Sequence, residues 1–182
     1  MGGGQSTDSA GNGGRKGVSS TEVAKRLAKL HKSAAAGDAT AQFELGSVYQ
    51  HGFGTIVPAD PDQAASWFQQ ASNQGNAAAQ NSLGALMEAG LGIQKDIVGA
   101  VTLFKKAAEN GHSGAQTNLG RCYRNGLGVE RNDVEAIRWY TTAAHQGDAY
   151  AQNNLGLCYL NGWGSARNPV EAVKWLKQAA DQ

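Results

Sequence analysis

A fourfold internal repeat with a period of 36 residues constrains the fold of this chain more than any other feature of its sequence. Each unit begins with Ala-Gln and continues with Leu-Gly, then Tyr or Met, then Gly-x-Gly. A second stretch carries Trp or Leu, with Ala four residues later. The only irregularity is a longer loop, Thr55 to Asp62, in the first unit. The Leu-Gly pairs are Leu45-Gly46, Leu83-Gly84, Leu119-Gly120 and Leu155-Gly156.

Each unit has the pattern of a helical hairpin. Its Ala, Leu and Tyr recur at spacings of three and four, which places them on one face of a helix. Gly-x-Gly is expected to end this first helix. Helix-start residues then open a second helix: Asp62, Asp96, Asp133 and the pair Asn168-Pro169. A hairpin cannot bury its apolar face alone, so stacked hairpins are expected to form an all-α solenoid with eight helices in residues 38–182.

The glycine of each Leu-Gly pair lies inside the predicted first helix, where it costs about 1 kcal/mol relative to alanine. A cost repeated in every unit predicts close packing between helices. Trp or Leu of the second helix is expected to lie in the core, and Trp139→Ala to cost about 3–5 kcal/mol. These core positions are Trp67, Leu103, Trp139 and Trp175.

These motifs resemble the Sel-one-like repeat family, a subfamily of the tetratricopeptide-type repeats. The resemblance implies a right-handed α-solenoid of antiparallel helical hairpins, with four repeats in residues 37–182. Their predicted bounds are about 38–74, 75–110, 111–146 and 147–182. Residues 20–36 resemble an isolated second helix, with Lys29 at the tryptophan position, and are expected to form a basic capping helix.

The first 19 residues are predicted to be a disordered, glycine-rich arm, because they contain almost nothing apolar. The start Met1-Gly2-Gly3-Gly4-Gln5-Ser6 fits the N-myristoylation pattern at Gly2, and a plain flexible tail is the alternative. One acyl chain alone binds membranes only marginally, and a cluster of basic residues is a typical second contribution to membrane binding. The first 36 residues supply six Lys/Arg against two Asp/Glu. A cytoplasmic protein that binds an anionic membrane peripherally is therefore one expectation.

Several classes of function are disfavoured by the composition. The formal net charge of +1 gives no general attraction to nucleic acid, and no segment is long and apolar enough to span a membrane. No nucleophile–base arrangement and no metal-ligand spacing stands out, so no catalytic residue, metal or cofactor is expected. The glycine pairs follow helices rather than strands, which disfavours a phosphate loop.

Cys122 and Cys158 hold equivalent places in successive units. The resemblance raises one enzymatic alternative, because some cysteine-rich secreted members are associated with penicillin binding and β-lactamase activity. Those members have a cysteine on each helix of one hairpin, whereas this chain has cysteines only on first helices. The two cysteines are instead expected to be buried as small apolar residues.

The favoured function is a non-catalytic adaptor that binds a protein or peptide. The resemblance implies that first helices line the concave surface, where the positions not used in packing vary between units. Two arginines there suit carboxylates, with amide and hydroxyl groups beside them. Glu88 is expected to pair with Arg121, and the alternative is that all these positions are simply solvated. The candidate residues are Asn81, Glu88, Thr117, Arg121, Arg124 and Asn153.

Two further features are candidates for partner contacts. Trp163 lies inside the last Gly-x-Gly, where other units have Phe53, Leu91 and Leu127, and an apolar residue there is expected to pack the turn. The alternative is that its larger size exposes an edge to a partner. Val173, Leu176 and Ala180 on the last predicted helix are expected to be more exposed than their equivalents in inner units, which predicts self-association or a partner at this end.

Overall fold

The computed structural model describes residues 20–53 and 56–182, and within these ranges the chain forms nine helices and no strand. This confirms the predicted all-α solenoid, with eight helices after one preceding helix. The predicted arm of residues 1–19, including Gly2, lies outside the described residues. The helices are α1 (Ser20–Ala35), α2 (Ala39–His51), α3 (Pro61–Asn73), α4 (Ala77–Ala89), α5 (Ile97–Glu109), α6 (Ser113–Asn125), α7 (Asp133–His145), α8 (Ala149–Asn161) and α9 (Pro169–Ala180).

The helices pair into four hairpins, with α2, α4, α6 and α8 as first helices and α3, α5, α7 and α9 as second helices. Gly90, Gly126 and Gly162 end first helices in the left-handed conformation, as the sequence predicts. The second helices begin at side-chain caps. The expectation that Asp62 and Asp133 start these helices is wrong by one or two residues, because the oxygens that accept the first backbone N–H groups come from Asp60 and Asn132.

The buried core lies mainly between successive hairpins. Each cluster of buried side chains joins a second helix to the first helix of the next unit, as α5 joins α6. The helix α1 packs on α2 in the same manner, so it takes the place of a second helix at the start of the array. Every unit therefore depends on its neighbours for burial, as expected in a solenoid.

The aromatic residues that fill the hairpins are one position further along the chain than the sequence suggests. Trp67 and Trp139 are only half-buried, whereas Phe68 and Phe104 are 0% exposed and Tyr140 is 3% exposed. The ring of Tyr140 covers the helical glycine of its own hairpin. A Cβ atom on Gly120 would lie 2.7 Å from that ring. The repeated glycines thus allow close packing, but against these rings and not against the tryptophans.

In the second, third and fourth units, the second glycine of Gly-x-Gly lies against the start of the preceding second helix. A Cβ atom on Gly164 would overlap the backbone carbonyl of Asp133 at the start of α7. Gly92 meets Pro61 at the start of α3 in the same way. Only glycine permits this approach, and it sets the position of the turn relative to the preceding second helix.

A buried glutamine in three of the four first helices forms side-chain hydrogen bonds on both sides, to the preceding second helix and to the residue that follows its own hairpin. The Nε2 of Gln116 donates to the carbonyl oxygen of Ala108 in α5 (3.2 Å), and its Oε1 accepts from Gln146 after α7 (2.8 Å). Gln42 similarly donates to Ala34 of α1 (3.1 Å) and accepts from Gln74 (2.7 Å). The recurring Gln of the Ala-Gln pair is therefore a structural residue that ties consecutive units together.

The last helix carries the exposed apolar face that the sequence predicts. Val173 is 64% exposed, whereas its equivalents Ala65 and Val101 are buried. Leu176 is half-buried and Ala180 is exposed, although the residues at their places in inner units are buried. No following hairpin covers this face of α9 among the described residues.

Candidate partner-binding surface

Polar side chains link consecutive first helices along one surface of the array. The amide of Asn118 on α6 donates to the Oδ1 of Asn81 on α4 (2.9 Å). Asn118 was not among the predicted residues, although its position also varies between units and holds Glu44, Ser82 and Asn154 elsewhere. Asn81 is half-buried, and its carbonyl oxygen is engaged by this contact.

Arg121 and Glu88 form a two-point ion pair between α6 and α4. The Nη1 of Arg121 donates to the Oε1 of Glu88 at 2.8 Å, and its Nη2 donates to the other carboxylate oxygen. This hydrogen bonding raises the pKa of Arg121. The Arg121 side chain remains 36% exposed and that of Glu88 23% exposed. The expected pairing of these two residues is present, and it lies within reach of solvent.

Arg124 is held by the protein and is not free to meet a ligand. Its guanidinium carbon lies 3.7 Å from the centre of the Trp163 ring, which is cation–π geometry. Its Nη1 also lies 3.4 Å from the Oδ1 of Asp133, and only 17% of the side chain is exposed. Within the part of the chain that the structure describes, the buried Nε–H of Arg124 has no hydrogen-bond partner.

The expectation that Arg124 is not a packing residue is therefore wrong. Trp163, proposed from the sequence as an edge for a partner, instead covers Arg124. The reason is the turn that carries the tryptophan, because Gly164 brings this turn against Asp133. Nothing in the local sequence around Arg124 indicates an aromatic ring 39 positions later in the chain.

Asp133, the first residue of α7, is the carboxylate around which these cations gather. It accepts two hydrogen bonds from Arg131, at 3.1 and 2.9 Å, besides its ion pair with Arg124. The hydrogen bonds from Arg131 are the main cause that lowers the pKa of Asp133. Two cations and one carboxylate thus meet at the start of α7, a cluster that sequence reasoning did not identify.

The other two predicted residues lie apart from this cluster. The Thr117 hydroxyl donates to the carbonyl oxygen of Ser113 in its own helix (3.2 Å). Asn153 is exposed on α8. The structure therefore brings Glu88 and Arg121 into direct contact and joins Asn81 to Asn118. It does not place all six candidates in one continuous constellation.

The two cysteines are free and buried, as expected for small apolar residues. Burial raises the pKa of each thiol to about 11, so neither thiol is an activated nucleophile. Across residues 20–53 and 56–182, no group of three His, Cys, Asp or Glu residues is arranged to hold a metal ion. In the same ranges, no helix is both long and apolar enough to cross a membrane.

Comparison with known families agrees with the repeat architecture. The profile of the Sel1 repeat matches four consecutive segments, residues 39–76, 77–112, 113–148 and 149–182. A search of curated proteins found no significant match.

Several solved structures have the same fold. A protective antigen of uropathogenic Escherichia coli strains, described as displaying an SLR fold, is 38% identical, with a TM-score of 0.79 over 86% of this chain and 33% of its own. A Sel1 repeat protein from Oxalobacter formigenes is 32% identical, with a TM-score of 0.80 over 85% of this chain and 61% of its own. This chain thus spans less than two thirds of either relative.

The cysteine-rich protein B of Helicobacter pylori is more distant. It is 18% identical, with a TM-score of 0.56 over 74% of this chain and 96% of its own, and this likeness shows the fold alone. It gives no support to the hydrolase alternative raised from the sequence.

Proposed function

Because the chain belongs to the Sel1 repeat family, whose members are commonly non-catalytic scaffolds for protein interactions, we propose that it binds a partner protein on its first-helix surface around Arg121. The ligand group is a carboxylate, either an acidic side chain or the C-terminus of a peptide. Its function is then binding and not catalysis.

The observation that supports this proposal is the ion pair between Arg121 and Glu88. A planar guanidinium that already holds a carboxylate through two parallel hydrogen bonds has the geometry to hold a second one in its place. Exposure of 36% leaves the Arg121 side chain accessible from solvent. Glu88 then acts as an internal competitor, which a ligand carboxylate must displace.

Neighbouring groups supply the rest of the binding surface in this proposal. Thr117 and Asn153 provide polar contacts for the peptide backbone on either side of Arg121. Arg124, three residues after Arg121 on α6, is held by Trp163 and Asp133 and does not contact the ligand in this proposal.

A binding measurement with defined peptides tests this proposal. The probes are fluorescent acidic peptides, each with a free or an amidated C-terminus, and the readout is fluorescence polarisation. Arg121→Gln is expected to weaken binding about tenfold or more, and Arg121→Lys to weaken it less, because lysine keeps the charge but loses the planar fork. Glu88→Gln is expected to tighten binding, because it removes the internal competitor.

Arg138→Gln is the matched control, because Arg138 lies on the second helix α7 with 67% of its side chain exposed. It removes the same charge from another surface and is expected to leave peptide binding unchanged. The double reversal Arg121→Glu with Arg124→Glu is a poorer test, because a glutamate at position 124 would face Asp133 and destabilise the fold. Equal binding by the parent and Arg121→Gln would refute the proposal.

The second part of the proposal is that the N-terminal region binds a membrane. Four cations of α1, at Lys25, Arg26, Lys29 and Lys32, are all exposed, so they are available to an anionic lipid surface. Gly2, in the segment outside the described residues, would carry the acyl chain. A peripheral, cytoplasmic location follows from this proposal.

Intact mass after expression in a eukaryotic host tests the modification. The expected mass lacks the initiator Met and carries one fourteen-carbon acyl group, and Gly2→Ala should abolish both the acyl group and membrane sedimentation. Neutralising Arg15, Lys16, Lys25 and Arg26 should weaken sedimentation in part. An unmodified mass in a host that has the acyltransferase would end this part of the proposal.

Self-association through the exposed face of α9 is the remaining proposal. Val170 and Val173 are both more than 60% exposed there. Sedimentation at increasing concentration should show a dimer that Val173→Glu disrupts. A monomer at every concentration would exclude self-association through α9.

A further inference from the structure

A groove of about 560 Å³ lies between α1 and α2, at the opposite end of the array from α9. Its floor is apolar, and Val57 within it is buried. Basic side chains of α1 stand along one wall. Asp38 and Glu44 line the side formed by α2. The apolar lining consists of Val23, Leu27, Leu30, Ala41, Val48, Phe53 and Val57.

The repeat shows what occupies the same place in the other units. The helix α1 corresponds to a second helix, because Ala34 accepts from Gln42 as Ser72 accepts from Gln80. Leu30 then corresponds to Phe68, Phe104 and Tyr140, each of which covers the glycine of the first helix in its own hairpin. Leu30 is only half-buried, because no first helix pairs with α1 among the described residues.

The wall formed by α2 has the same character. Val48 corresponds to Leu86, Cys122 and Cys158, all of which are buried. Val48 is half-buried. Both walls of the groove therefore present surfaces that are covered in the inner units, and the element that would complete the pairing of α1 is a first helix.

The positive charge of α1 favours an acidic residue on the helix that binds in the groove. Arg26 stands where inner units have alanines that are 0% exposed, and Lys25 stands where α5 has Gly99. In the second hairpin the side chain of Met87 lies against Gly99, since a Cβ atom on Gly99 would lie 2.7 Å from the Met87 methyl carbon. The residue of the bound helix that corresponds to Met87 would therefore face Lys25 and Arg26.

The sequence of residues 1–19 has only Met1, Ala10 and Val18 as apolar residues and so lacks the apolar stripe of an amphipathic helix. We propose that the groove between α1 and α2 binds an amphipathic helix of a partner protein, which carries a small residue opposite Leu30 and an acidic residue opposite Lys25. This inference is independent of the proposed function at Arg121, because the two surfaces lie in different units, but it uses Lys25 and Arg26, which the proposed membrane contact also uses.

A peptide taken from the protein itself provides the probe. The segment Asn76–Gly90, which includes the first helix α4, is synthesised with blocked ends and a fluorophore. A second version carries Met87→Glu. Fluorescence polarisation with the full chain is expected to show that the Met87→Glu peptide binds about tenfold more tightly than the parent peptide.

Protein and peptide variants then test each contact. Lys25→Glu in the protein should abolish the preference for the acidic peptide, and Leu30→Glu should abolish binding of both peptides. Gly84→Leu in the peptide should also abolish binding, because a branched side chain there cannot approach Leu30. Val134→Glu on α7, at a site 63% exposed, is the control and should bind like the parent.

Three outcomes would overturn the proposal. The first is equal binding of the parent and the Gly84→Leu peptides, and the second is equal binding by the parent protein and Leu30→Glu with its circular dichroism unchanged. The third is binding of unacylated protein to phosphatidylserine vesicles that Leu30→Glu removes, with no peptide binding, which would make the groove a membrane contact. Arg121→Gln should leave peptide binding at the groove unchanged, so failure here is distinguishable from failure at the first-helix surface.

Discussion

The side-chain amide of Gln146 donates a 2.8 Å hydrogen bond to the buried Oε1 of Gln116. Equivalent bonds join Gln74 to Gln42 and Gln182 to Gln152. The second unit breaks this series, because its equivalent of Gln146 is Asn110, which is one methylene shorter. The Oε1 of Gln80 is consequently buried without a hydrogen-bond partner among the described residues.

Asn110→Gln should stabilise the protein by about 1 kcal/mol, because it supplies the missing donor to a buried acceptor. Thermal unfolding should then show a Tm raised by about 2–4 °C. Asn125→Gln, at the exposed end of α6, makes the same chemical change without this partner and should leave the Tm unchanged. A Tm for Asn110→Gln no higher than that of this control would contradict the explanation.

Gly164→Ala should destabilise the protein by several kcal/mol, because its Cβ would overlap the backbone of Asp133. Gly147→Ala is the matched control. It also has a positive φ, of 88°, but no atom lies within 4 Å of its built Cβ, so its cost is the backbone strain of about 1–2 kcal/mol. Urea unfolding should separate the two variants, and equal losses would show that strain alone explains the glycine.

Phe68→Ala should cost about 3–5 kcal/mol, because its ring is completely buried against the helical glycine of α2. Trp67→Ala should cost less, although tryptophan is larger, because its side chain is only half-buried. The same ordering is expected for Tyr140→Ala and Trp139→Ala. Chemical denaturation of the Phe68→Ala and Trp67→Ala variants measures their free energies of unfolding. A larger loss of stability for Trp67→Ala would support the sequence-based prediction that the tryptophan fills the core.

Cys122 and Cys158 should resist alkylation in the folded protein. With a pKa of about 11, about one thiol in a thousand is ionised at pH 8. Mass spectrometry after iodoacetamide treatment should detect modification only under denaturing conditions. Rapid labelling of the folded protein at pH 8 would be inconsistent with buried, protonated thiols.

The same shift predicts how stability depends on pH. The folded thiols keep their protons up to about pH 11, whereas unfolded thiols lose theirs near the ordinary value of 9.0. Because the unfolded chain then binds fewer protons, stability should fall as the pH rises from about 9 to 11. The double variant Cys122→Ala with Cys158→Ala should lose this component of the pH dependence.

The sequence by itself determined the repeat, the hairpins and the helical glycines. These features depend on local spacing, and a period of three to four residues identifies the helical face that is buried. It also indicated that a close helix contact must justify each glycine of the Leu-Gly pairs. The apolar face of α9 followed from the same pattern, because its residues hold the positions that contact the next first helix in the inner units.

Only the tertiary structure decided which residues meet across the units. Trp67 and Phe68 are neighbours in one helix, about 100° apart around its axis, and the rotation of the helix against α2 determines which ring enters the core. The pairing of Arg124 with Trp163 depends on how the turn of the last unit approaches α7. Contacts of this kind join residues more than 30 positions apart, so they depend on the orientation of whole helices and leave no periodic signal in the sequence.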